Sequence, residues 1–263
     1  MAMGYEPEDE GYERQVRRRS TVIRMIALVV VLALAATYAG LNLISVLRDR
    51  NPIVPEAGIA DDRGFKFLNL DPTTHQPVRY DPCTPLHYVI NPEHAPKGGI
   101  EDVQGAIALA SQATGIPFAF DGEVDEPVTK DRAFVQEGRY GHRWAPVLIG
   151  WIPFDATIFK VDDVGVAGSA IERNSKGQLV YVTGHVLLNG ADQLDNGFRP
   201  GKTWGKVILH ELGHVLGLDH VADPAQVMNP SLVSSPAAWG TGDRAGLTLL
   251  GAGAGCLEVP EVP

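Results

Sequence analysis

The sequence predicts an α+β fold set behind one membrane-spanning helix, and three observations carry that expectation. Short apolar or alternating runs of strand type are interleaved with stretches whose apolar residues recur every three or four positions, as on a helix. A stretch of 23 residues, 25–47, carries no charge. Finally, the run from His210 to His220 spaces its histidines as a helix and its exit turn would bring them together.

The chain opens with a polar segment, 1–24, in which Glu6, Glu8, Asp9 and Glu10 are followed by Arg14, Arg17, Arg18, Arg19 and Arg24. The apolar stretch 25–47 comes next. At about 1.5 Å per residue it extends roughly 35 Å, enough to cross a hydrocarbon core of about 30 Å. Five arginines precede it and two, Arg48 and Arg50, follow it, so the positive-inside bias puts the N-terminus in the cytoplasm and the rest of the chain outside. A cleaved signal peptide is the alternative, because Ala33-Leu34-Ala35 has the small-x-small form of a cleavage site; the chain would then be secreted. The apolar run exceeds the 7 to 15 residues usual for a signal, which favours an uncleaved anchor over both that reading and a buried core helix.

Residues 48–80 carry Pro52, Pro55, Pro72 and Pro77 without a sustained pattern, and are expected to form a linker or stalk. The folded domain is expected over 81–256. Leu86 to Ile90 alternates like a half-buried strand. A helix follows, with Ile100, Val103, Ile107 and Ala110 on one face, stopped by Gly115 and Pro117. Further strands are expected at 117–120, at 147–152, at 164–167 and over 179–182, with 186–188 continuing the last or forming another. The run 147–152 is apolar on both faces and so should be central. A motif helix spans about 202–217, and a last helix runs from Thr241 or Asp243 to Leu250, ended by Gly251. The tail 257–263 is expected to be disordered.

A formal charge of -10 and the lack of a basic patch in the soluble part argue against a broad nucleic-acid-binding surface. Two cysteines, Cys83 and Cys256, are too few for a thiolate metal site or an iron-sulfur cluster, so metal chemistry falls to histidine and carboxylate. On a helix, His210 and His214 stand about 40 degrees apart and present two imidazoles to one ion. Glu211 is turned about a quarter-circle away, which suits a general base beside a metal better than a ligand. Gly217 lets the chain leave the helix and brings His220 back as a third nitrogen. Three imidazoles with one open position describe a catalytic zinc site rather than a closed structural one.

His210 to His220 matches His-Glu-x-x-His-x-x-Gly-x-x-His at every specified position, and Met228 follows eight residues later in Val227-Met228-Asn229-Pro230. This resembles the metzincin zinc endopeptidases, and Leu218-Asp219-His220 with the methionine spacing looks most like their matrixin branch. The resemblance covers about 83–251 and implies a zincin-like α+β catalytic domain with a twisted mixed sheet. It also implies one catalytic zinc ion on His210, His214 and His220, with Glu211 as the base that takes a proton from the attacking water, and Met228 beneath the metal without binding it. The implied partner is a protein or peptide substrate, laid as an extended strand along Val166 and Ala167.

Several positions depart from the matrixin pattern. Gly168 stands where a histidine of a second, structural zinc would be, and Asn189 where a carboxylate would be, so no structural zinc is expected. Pro230 leaves no extra tyrosine ligand, and Leu232 replaces an aromatic residue of the specificity-pocket wall. Cys83, in Asp81-Pro82-Cys83-Thr84-Pro85, does not match the Pro-Arg-Cys-Gly context of a latency cysteine. A Cys83–Cys256 disulfide is the better reading, because the pair brackets a domain expected in an oxidising compartment. Asp219 is left unassigned, with orientation of a neighbouring backbone group or ligand as its plainest reading. His75, His87, His94, His142 and His185 have no metal-ligand spacing among themselves and are expected on the surface or in hydrogen bonds. The alternative to an enzyme is a binding module braced by zinc, against which the presence of Glu211 argues.

Overall fold

The computed structural model describes residues 64–160, 162–231 and 238–263, all within the unit Val54–Pro263. The polar tail 1–24, the candidate anchor 25–47, most of the expected linker and Leu232 lie outside the described residues. Among the described residues, no helix is long and apolar enough to cross a membrane.

Five strands form one mixed sheet: β1 (Leu86–Asn91), β2 (Phe118–Glu123), β3 (Val147–Ile152), β4 (Gly165–Arg173) and β5 (Leu179–Asn189). Their spatial order is β2-β1-β3-β5-β4, with every neighbouring pair parallel except β4 against β5. The run at 147–152, apolar on both faces, takes the middle position, as its pattern predicts. β4 and β5 are each longer than expected, and 179–182 and 186–188 belong to a single strand. Asn174 makes the turn between them, its carbonyl and amide bonding Gly177 and Gln178.

Register sorts the sheet's side chains onto two faces. Val89, Leu148 and Leu187 fall on one, where Val128 and Phe159 from the flanking loops close over them as one core cluster. The loop carrying Val128 is pinned by a buried bidentate pair: Arg132 Nε and Nη2 donate to Glu126 at 2.6 and 3.0 Å, while Nη1 reaches Thr183 Oγ1 and the Gly184 carbonyl, both at 3.2 Å. On the other face Trp151 of β3 meets Trp204 edge-on at 6.3 Å.

Trp204 begins α3 (Trp204–Leu216), which carries the motif. This helix packs across β4 and β5 and along α1 (Gly99–Thr114), which in turn touches α4 (Thr241–Leu250). A short helix, α2 (Glu137–Tyr140), lies in the polar loop where the sequence shows no helical pattern. Only Trp204 to Leu216 of the expected motif helix is helical; Thr203 stands before it in extended conformation, with its hydroxyl donating to the Gly197 carbonyl at 2.5 Å.

Two segments pack where the sequence predicts freedom. Residues 64–80, expected as linker, bury Phe65, Val78 and Tyr80, and Asp71 Oδ2 accepts the Leu179 amide at 2.9 Å. Their hydrogen bonds go to scattered partners rather than to one ladder, so no period marks them. The expected disordered tail is docked as well. Leu257 lies against Ala170, Val180 and Val182, its amide donates to Asp81 Oδ1 at 2.9 Å, and Trp144 Nε1 donates to the Pro260 carbonyl at 2.7 Å. The Cys83–Cys256 disulfide explains the docking, since a tail whose first residue is already tethered loses less entropy on binding. Replacing both cysteines by serine should lower unfolding free energy by about 2–5 kcal/mol and release the tail. Denaturant unfolding and proteolysis of the C-terminus would check both effects.

Candidate metal centre

α3 brings His210 and His214 onto one face, and its exit is built as the sequence suggests. Gly217 adopts φ 112°, in the left-handed region, and its amide bonds back to the carbonyls of Gly213 and His214, both at 3.1 Å. A side chain at this position would meet Tyr181 and the Val78 carbonyl at 3.2 Å. The chain then reverses through Leu218 and Asp219 and delivers His220 to the other two imidazoles.

The three Nε2 atoms converge, with His220 Nε2 lying 3.0 Å from His210 Nε2 and 3.2 Å from His214 Nε2. Their protonation follows from the opposite nitrogens. His210 Nδ1 lies 2.7 Å from the Val227 carbonyl and His214 Nδ1 lies 2.9 Å from the Leu218 carbonyl. A carbonyl only accepts, so both Nδ1 atoms carry the proton and both Nε2 atoms present lone pairs. A proton on His220 Nε2 can serve one of them at a time. A cation held by all three serves every lone pair at once. Zinc bonded to nitrogen at about 2.0–2.1 Å with tetrahedral angles would space its ligands about 3.4 Å apart, close to the observed separations.

Electrostatics prepare the same state. Burial, and then the neighbouring His214, push His210 down to about 3; burial and His220 push His214 to about 4; burial also lowers His220. All three are therefore neutral at physiological pH, the form that binds metal. Glu211 moves the other way, pushed up to about 8 by burial and then by the charge of Asp163. Its carboxylate sits against Gly165 of the edge strand, where a Cβ would come within 2.7 Å of Glu211 Cγ. Glu211, the three histidines, Val166 and Ala167 all line one cleft of about 570 Å³.

Beneath the motif, Met228 is almost fully buried and presses its thioether on α3 at Gly213, where a Cβ would stand 2.2 Å from the sulfur. Gly213 falls in a wildcard position of the motif, so only the close approach reveals its role. Asp243, at the start of α4, supports the same turn: its Oδ2 accepts the amides of Val227 at 2.6 Å and Gly240 at 2.9 Å. The sequence suggests Asp243 as a helix cap and gives no sign of this second contact. Asp219 accepts the His220 amide at 2.7 Å and pairs with Lys66 at 2.6 Å.

The other histidines stand apart from this cluster. His87 bonds Asp121 at 2.7 Å and His142 bonds Glu137 at 2.9 Å. His185 is half-buried: it faces Gly168 across the β4–β5 ladder, and burial and then Arg132 lower it to about 4. Asn189 bonds Asp192 at 3.2 Å. Among the described residues a second group, Asp81 with Cys83 and Cys256, has metal-capable atoms close together, but there the two sulfurs bond each other.

An open three-imidazole site with a carboxyl beside it on the same helix defines a class, the metal-dependent hydrolases with one free coordination position. Residues 128–247 match the family model of the matrixins, a span that includes the three histidines, Glu211, Met228 and Asp243 and both strands beside them. Over those residues the chain is similar to the matrixins, zinc metalloendopeptidases of the metzincin type. Among solved structures, high choriolytic enzyme 1, a hatching enzyme zinc-protease from the medaka fish Oryzias latipes, is similar at 18% identity with a TM-score of 0.24. That likeness covers 51% of this chain and 44% of the medaka protein, so the chain spans less than half of that relative's length. No curated protein matches.

Two outcomes test the site's construction. Gly213→Ala drives a methyl into the Met228 sulfur and should cost about 1–3 kcal/mol, read as a lowered melting temperature. The metal-free protein should be most stable near pH 6.5. Below 6.5 the unfolded histidines take up protons that the buried ones refuse, so stability falls as pH drops. Above 6.5, unfolded Glu211, with an ordinary value of 4.5, is already ionised while the buried carboxyl holds its proton to about 8, so stability falls as pH rises. Denaturant melts at several pH values should show both limbs, and Glu211→Gln should abolish only the upper one.

Proposed function

We propose that the domain is an endopeptidase that hydrolyses internal peptide bonds outside the cytoplasm, anchored to a membrane by residues 25–47. The observation that carries the chemistry is Glu211: a buried carboxyl next to three converging imidazoles in an open cleft has no use in a purely structural metal site. The anchor and its orientation rest on the charge-free stretch and on the arginines that precede it. The disulfide is in keeping with an oxidising compartment.

His210, His214 and His220 would hold the zinc, and Met228 and the Val227 carbonyl would keep the first ring in place. Bound there, zinc supplies a Lewis acid that polarises the scissile carbonyl and makes water a nucleophile near neutral pH. Glu211 takes the proton from the attacking water and passes it to the leaving amine. In the metal-free site burial and Asp163 keep its proton on; a dication beside it would favour the carboxylate, the form that can take the water's proton. β4 is an edge strand, and its cleft-facing residues Val166 and Ala167 offer backbone to a substrate that adds itself as a further strand. That arrangement aligns a peptide along the cleft without reading its side chains.

The purified chain should digest unstructured casein, stop on chelation and recover with zinc. Glu211→Ala should keep zinc and lose cleavage by at least two orders of magnitude, in line with the usual worth of a general base. A Glu211→Ala protein that still cleaves would remove the assignment. His214→Ala and His220→Ala should lose both zinc and activity, which elemental analysis would check.

A further inference from the structure

Residues 65–68 are locked to the loop that carries the third histidine. Leu68 N donates to the Gly217 carbonyl at 2.7 Å and Asp219 N donates to the Lys66 carbonyl at 2.8 Å, with Phe67 and Leu218 paired in an antiparallel bridge between them. Phe65 is buried beside Leu218 and Gly246, and its ring lies 5.2 Å from that of Phe67. From this short ribbon Lys66 reaches out to Asp219, Nζ to Oδ2 at 2.6 Å, while Asp219 Oδ1 accepts the backbone amide of His220 at 2.7 Å. Leu68 continues into the cleft and lines it.

His210 and His214 are each held by a helix and by a carbonyl on Nδ1. Neither support reaches His220, which sits beyond the helix end. Its backbone is fixed instead by Asp219, and Asp219 in turn is fixed by a cation from a distant part of the chain. We infer that Lys66 is a positioning residue of the metal centre: through Asp219 it holds the loop 217–220 in the conformation that keeps His220 on the metal. Residues 64–70 are then part of the metal site and not a spacer before it.

Both carboxylate oxygens of Asp219 are used, one on each partner, so removing Lys66 leaves Asp219 free to turn away from the His220 amide. An arginine can keep the ion pair, whereas a methionine of similar length keeps the apolar stem and loses the charge. Outer supports of this kind typically change metal affinity by 10–100-fold.

The inference rests on the three-histidine metal site proposed above, and its test reads metal rather than cleavage, so that the two can fail separately. Zinc-loaded full chain, Lys66→Met and Lys66→Arg are mixed with a chromogenic chelator and the release of zinc is timed. Lys66→Met should release zinc at least tenfold faster than the parent, and Lys66→Arg should return most of the difference. Equal release from Lys66→Met and the parent, whatever their melting temperatures, would overturn the inference. Asp219→Asn gives the second reading should Lys66→Met not fold: fast release supports the inference, parental release overturns it. A parent that binds no zinc at all would instead defeat the metal-site reading itself.

Discussion

Three lone pairs aimed at one point are mutually repulsive, and much of this domain is built to hold them there. The helix supplies two of the imidazoles, a left-handed glycine supplies the reversal, and the returning loop supplies the third. Carbonyls of Val227 and Leu218 take the Nδ1 protons and so decide which nitrogen faces inward. Without a cation this arrangement costs free energy, which the surrounding packing must offset. Once a cation is bound, the same geometry becomes favourable. Binding energy for the metal and stability of the motif loop are then one quantity, as linkage requires.

The surroundings are lopsided in a way that matches the chemistry. On one side, Met228 and the buried carboxylate of Asp243 close the site with a packed turn. On the other, the cleft runs open along β4, whose outer edge has no strand beside it among the described residues. His214 stands in the last turn of α3, where the carbonyl ends of the helix dipole favour positive charge. The rigid side fixes the imidazoles, and the open side leaves room for the extended peptide proposed above. Gly165 and Gly213 mark the two places where these halves come too close for a side chain, one against Glu211 and one against Met228.

How much of this was legible in the sequence depended on whether an interaction repeats locally. The strands, the long helix and the motif helix announce themselves because burial of one face imposes a period, and the histidine spacing does so because a metal imposes a geometry. The disulfide was legible from its two cysteines and their expected compartment. The strap at 65–68 was not, because a few bridging hydrogen bonds and one ion pair leave no period, and the nearby prolines suggest a spacer. The docked tail was hidden for a related reason: its anchor is the bond at Cys256, and nothing in Leu257 to Pro263 taken alone promises a partner. Asp243 shows an intermediate case, since its capping role was visible and its grip on the methionine turn, 16 residues away, was not.

X-ray absorption at the zinc edge, together with metal analysis of the full-length protein, tests this account most directly. One zinc per chain, with three imidazole nitrogens and one further oxygen or nitrogen ligand from outside the protein, is the predicted result. A closed shell containing sulfur or a protein carboxylate would contradict it, as would zinc that stays in place when His220 is replaced.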